Sequence, residues 1–242
     1  MKTSFSDKQL EILKIRLRYL KNLTKNLQIC SILFVVSVFI IIIFKWIIIV
    51  PFFDRLFLLA QSGDVEHLQN EIKNMPPLIR YAPIALSIAL FSLTVGIGIL
   101  SLVIHKISKI EYKMSLDLSR LLMFFATVMC GLSAVLWAIL GRSFLASNID
   151  DVACLVGPLY YSERMFRLCF SVSFIFLMIS FYQLKKILVN IININSHILL
   201  AFLILGFLSI IDIFLAVPFF IYSAFRKRIV YGFAYVGIYK NK

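Results

Sequence analysis

Three ionisable residues, Lys45, Arg167 and Asp212, fall inside long apolar runs of the chain. An ionisable side chain held in hydrocarbon must pair, reach an interface or take part in moving charge. Lys45 lies about 24 Å along the first run, counted at the rise of an α-helix, and its flexible stem can carry the ammonium to the nearer interface. Arg167 enters the fourth run two residues from its start and has the same escape. Asp212 has none, because it sits about 21 Å into the last run with a short side chain. Two chemistries follow. Asp212 pairs with Lys45 or Arg167 and ties the first, fourth and fifth runs together, or it takes up and releases a proton or cation along a path.

No other constellation carries chemistry. The sequence has no Gly-x-Ser-x-Gly, no His-Glu-x-x-His and no Gly-rich phosphate loop. Cys30, Cys130, Cys154 and Cys169 have no CxxC spacing and read as small packing residues. His67, His105 and His197 supply no ligand spacing, and Asn148, Asp150 and Asp151 match no calcium loop. The expectation is no catalytic residue, no metal and no cofactor.

The composition says what must position these charges. The chain has 242 residues, 61% hydrophobic and 15% charged, with a mean hydropathy of +0.95. A soluble domain averages about 45–50% apolar and about 25% charged, so a soluble enzyme and a disordered chain are both excluded. The expected fold is all-α: a polytopic helical membrane protein of about five transmembrane segments, near 29–50, 82–104, 121–141, 165–184 and 198–225. The last is long for one crossing and holds Asp212 and Pro218, so it is expected either to tilt or to break and re-enter. Within the mixed residues 54–80, Gly63-Asp64 opens a short interfacial helix that Pro76-Pro77 ends, and 142–164 read as an exposed loop broken at Gly157-Pro158.

Residues 1–28 form a basic helix with Leu10, Leu13, Leu17, Leu20 and Leu27 on one stripe. It suits an anionic membrane surface, a partner helix, or a plain juxtamembrane role. The tail 226–242 is basic and aromatic, fit for an interface. Small residues mark two helix faces: Ala85, Ala89, Ser92 and Gly96 on the second span, and Ala126, Cys130, Ala134 and Ala138 on the third. Such faces let backbones approach closely in lipid and predict that these spans pack as a hairpin.

The net charge of +13 gathers beside apolar runs, the pattern that orients a protein in a bilayer rather than one that binds nucleic acid. With the N-terminus in the cytoplasm, 13 basic residues lie inside and 5 outside, before the tail adds 5 more. The expected setting is therefore an integral membrane protein, bacterial inner membrane, N-terminus cytoplasmic. The expected function is a non-enzymatic subunit or assembly partner of a larger membrane complex. The alternative is a small transporter or channel subunit with a proton- or cation-linked Asp212. The expected partners are membrane lipid and other membrane subunits or further copies of the chain.

Overall fold

The computed structural model describes residues 7–63, 67, 70, 71, 74–110, 114–146, 149–183, 196–209 and 213–225. Among the described residues the elements are all helical: α1 (Asp7–Ile41), a π-helical stretch (Ile42–Ile49), α2 (Val50–Gln61), α3 (Pro77–Ile110), α4 (Met114–Leu145), α5 (Ile149–Gln183), α6 (Ser196–Leu208), a 3-10 turn (Ile213–Ala216) and α7 (Val217–Phe225). Three stretches, Lys25–Phe52, Pro77–Lys106 and Met114–Leu145, are long and apolar enough to cross a membrane. The fourth expected span lies within α5.

The basic N-terminal helix and the first span are one helix. Residues 7–41 contain no Pro or Gly to kink them, so α1 runs unbroken for 35 residues. Nor does the first span stop at Pro51, as its sequence suggests; the helix continues to Gln61. A proline inside an α-helix lacks its N–H and drives its ring against the carbonyl four residues back. Here the turns just before it are widened, and the Val50 N–H bonds to the Lys45 carbonyl, five residues back. The wider turn gives the Pro51 ring room. Beyond α2, Gly63 takes a left-handed φ of 73° and turns the chain, and Arg55 forms an ion pair with Glu71. The Pro76 carbonyl then caps the next helix, accepting from Ile79 and Arg80 N–H at 3.0 and 3.1 Å, and α3 opens on Pro77.

Helices α3 and α4 form an antiparallel hairpin. The Ser87 hydroxyl donates to the Ala134 carbonyl at 2.8 Å, and the Cys130 thiol approaches the Leu90 carbonyl at 3.5 Å. A methyl placed on Gly131 would rest 3.5 Å from Thr94, and one on Gly98 3.5 Å from Thr127. The two expected small-residue faces do not meet as drawn. Ala126, Cys130 and Ala134 are buried, but Ala138 is exposed. On α3, Ala89 and Gly96 are buried and Ala85 and Ser92 half-buried. Gly96 faces α1, where an added Cβ would come 3.2 Å from Leu33 Cβ. Because α3 sits between two neighbours, Gly96 turns to α1, while Ile84, Ser87, Leu90, Thr94 and Gly98 turn to α4.

Most of 142–164 is helix rather than loop: 142–145 close α4, and 149–164 belong to α5, which continues through Pro158. Two of its polar residues, Ser162 and Glu163, face α4. Along the antiparallel α4–α5 contact, Ser115 pairs with Ser180 at 2.7 Å, Ser119 with Ser173 at 3.1 Å and Ser133 with Ser162 at 2.9 Å. Serine glues helices in lipid because its small side chain permits close approach and its hydroxyl finds a partner across the interface. All the buried polar residues among those described are serines.

The last apolar segment is broken. Ser209 ends α6, with its carbonyl accepting from the Ser171 hydroxyl at 2.6 Å, and α6 lies antiparallel to α5. Helix α7 then runs back antiparallel to α1: Phe220 stacks on Phe34 at 3.9 Å and Ser223 bonds Ser31 at 2.7 Å. The Phe202 ring of α6 meets Phe219 and Tyr222 of α7 at 5.4 and 5.2 Å. The chain therefore reverses within the bundle. Phe34, Phe170, Phe174 and Phe220 fill the resulting core, all nearly or fully buried, while Ile32, Phe39, Ile88, Phe91 and Phe124 point outward. An apolar exterior around a packed interior is what lipid as solvent requires. This is an all-α membrane protein.

Candidate functional site

The charge site forms where α1 widens. The π-helical stretch carries Lys45, whose ammonium forms an ion pair with Glu163 Oε2 on α5. The other carboxylate oxygen, Oε1, accepts the indole N–H of Trp137 on α4 at 2.8 Å. Three helices thus converge on one carboxylate, with side-chain exposures of 24% for Lys45 and 14% for Glu163. In a poorly solvated setting the pair holds because both carboxylate oxygens are occupied by donors. Ser133 and Ser162 bond one another about one turn away, so the serine ladder leads directly to the pair.

Arg167 follows Glu163 by one helical turn and lines the same cleft. The cleft is partly open and has about 620 Å³ of space, counting the open solvent at its mouth. Lys45, Trp46, Trp137, Glu163 and Arg167 form its polar end, and aliphatic residues of α1 and α3 with Phe166 form the rest.

The structure therefore brings two of the three charges expected from sequence to one place and supplies a different acid. Among the described residues the carboxylate that Lys45 takes is Glu163. Asp212 itself lies outside the described residues. Glu163 and Trp137 escaped the sequence reading because Glu163 falls in a stretch taken as loop. One signal pointed to it: Glu163 and Arg167 are four apart, the spacing of one helix face, and the second leads into an apolar run. At the opposite end of the hairpin, Arg120 Nη1 donates to His105 Nδ1 at 2.8 Å. Arginine only donates, so Nδ1 is the acceptor and the ring proton sits on Nε2. Among the described residues no group of three His, Cys, Asp or Glu side chains is placed to hold a metal.

Fold and site together define an all-α membrane protein with an ion pair set inside its helix bundle. Comparison of the chain with protein-family models, with curated proteins and with solved structures finds no match.

Proposed function

We propose that this chain is a non-enzymatic integral membrane subunit, or assembly partner, of a larger membrane complex. The unbroken helix Asp7–Ile41 carries this reading. Its apolar crossing begins at Lys25, so 18 residues precede it in the same helix. At the rise of an α-helix these reach about 27 Å beyond the crossing. With no Pro or Gly to bend it, such an arm extends from the bilayer instead of lying flat on it. An apolar stripe along such an arm calls for an apolar surface to cover it. Leu10, Leu13, Leu17 and Leu20 keep the near-heptad spacing that a partner helix covers. The partner is another subunit of the complex. The excess of basic residues on the N-terminal side supports a cytoplasmic N-terminus, in a bacterial inner membrane.

The test is purification of the tagged protein in mild detergent, with identification and stoichiometry of what co-elutes. Stoichiometric partners are expected. The double variant Leu13→Glu, Leu17→Glu is expected to lose them, at least tenfold by recovered ratio, while its membrane level stays unchanged. Recovery of the unmodified protein alone would defeat the reading.

A second reading, a small transporter or channel subunit, draws support from the reversal between α6 and α7. Interrupted helices that turn back within a bundle are the usual makings of an ion or substrate site. A lone homo-oligomer in the same purification favours this second reading.

A further inference from the structure

We infer that the cleft beside the Lys45–Glu163 pair is a binding site for an anionic phospholipid of the surrounding bilayer. Its phosphate meets Arg167, and one acyl chain lies along the wall made by α1 and α3. Four observations on the molecule lead there.

The first is charge. Glu163 is neutralised by Lys45 and its second oxygen accepts from Trp137, so its charge is already balanced before Arg167 is counted. Arg167 is exposed and makes no ion pair among the described residues. Among the described residues the polar end of the cleft therefore carries one uncompensated positive charge, and an arginine facing lipid attracts an anion.

The second is depth. Exposed aromatic residues (Trp46, Tyr81, Tyr160 and Tyr161) gather at this end of α1, α3 and α5. Amphipathic rings mark the headgroup level of a bilayer. Arg164 stacks over Tyr160 at 5.3 Å and stays at that level. Arg167 lies about 5 Å further along α5, within reach of a phosphate at the same level.

The third is the gradient inside the cleft. Val38 lies seven residues from Lys45 on α1, and Leu93 seven from Leu86 on α3. Both steps span about 10 Å away from the belt and meet only apolar side chains. A site polar at headgroup level and apolar below it has the shape of an amphiphile. The fourth is access: the cleft is partly open, so a chain can enter it from the side.

The chain's two tryptophans, Trp46 and Trp137, both line this cleft, so intrinsic fluorescence reports on it alone. Trp46 is 51% exposed and meets any neighbouring lipid, whereas Trp137 is 4% exposed. The experiment therefore uses the full chain carrying Trp46→Phe, reconstituted in phosphatidylcholine bilayers. Increasing fractions of phosphatidylglycerol or phosphatidylcholine with brominated chains, which quench indole on contact, are introduced. The expected result is half-maximal quenching of Trp137 at about fivefold lower mole fraction of the anionic lipid, the effect of one cation facing an anionic headgroup. Arg167→Gln is expected to abolish that preference, and Arg167→Lys to keep it. Equal quenching by the two lipids overturns the proposal without any variant. Persistence of the preference in Arg167→Gln overturns it too, and so does its loss in Arg167→Lys, which would assign it to packing.

Discussion

Glu163→Leu is expected to destabilise the helix bundle by about 2–3 kcal/mol, because it strands the Lys45 ammonium in a cleft that offers no other carboxylate among the described residues. The substitution removes the Lys45 partner and the Trp137 acceptor together. Breaking a fully buried pair costs about 3–5 kcal/mol, and the lower figure here reflects the quarter of the Lys45 side chain that remains exposed. The double variant Lys45→Met, Glu163→Leu is expected to regain most of the loss. An apolar pair of similar volume needs no desolvation of charge, and the remaining deficit is the unsatisfied Trp137 N–H, about 1 kcal/mol. The check is reversible unfolding in mixed micelles of mild detergent and dodecyl sulfate, followed by far-ultraviolet circular dichroism. Additive losses in the double variant would show that the two side chains do not act as a pair.

Gly141→Ala is expected to cost about 1–3 kcal/mol, the range for forcing an extra group into a packed contact. An added Cβ would come 2.7 Å from Ile84 Cγ1 and 3.3 Å from the Ile84 backbone nitrogen. The side-chain atom can be removed but the backbone one cannot move far, since Pro83 stiffens this part of α3. Ile84→Ala in the Gly141→Ala background is therefore expected to recover part of the loss, though it deletes apolar contact of its own. Gly98→Ala is the control. Its Cβ would sit 3.5 Å from Thr127 Cγ2, an ordinary contact, so alanine's better helix propensity should leave stability unchanged or raised by about 0.5–1 kcal/mol. The same unfolding assay separates the three. Equal effects at Gly141 and Gly98 would mean that the helices do not approach as described.

How much of this was legible in the chain follows from what each signal measures. Hydropathy reads the solvent around a helix, so the apolar runs locate where helices can cross. It does not read where helices end, because a backbone leaving the bilayer has no reason to unwind. That is why α1 continues back to Asp7 and α5 back to Ile149, well outside their apolar runs. Proline at 51 and 158 suggested breaks on the same grounds, yet a widened turn accommodates the first and α5 runs through the second. Small residues announce close approach but not the neighbour that approaches, so Gly96 was matched to the wrong helix.

The site was half legible for a related reason. Lys45 and Arg167 stand out because lipid makes them expensive. Glu163 does not, since Ser162-Glu163-Arg164 looks like any solvated turn until α4 is laid against it. The serine ladder was invisible for the same cause. Ser115, Ser119 and Ser133 are ordinary residues one at a time and become a pattern only opposite Ser180, Ser173 and Ser162. The reversal of 198–225 was one of two outcomes that length and charge allowed. The rings of Phe202, Phe219 and Tyr222 decide between them.

That reversal fixes the side of the bundle to which α7 returns. Ser223 bonds Ser31, six residues into the crossing that begins at Lys25, so the end of α7 lies on the N-terminal side. The direct measurement is a pair of side-specific reporter fusions, one at the N-terminus and one after Phe225, each in the otherwise intact protein. Both reporters on the same side of the membrane is the predicted result. Reporters on opposite sides would mean that 198–225 crosses once, and would contradict the packing of α7 along α1.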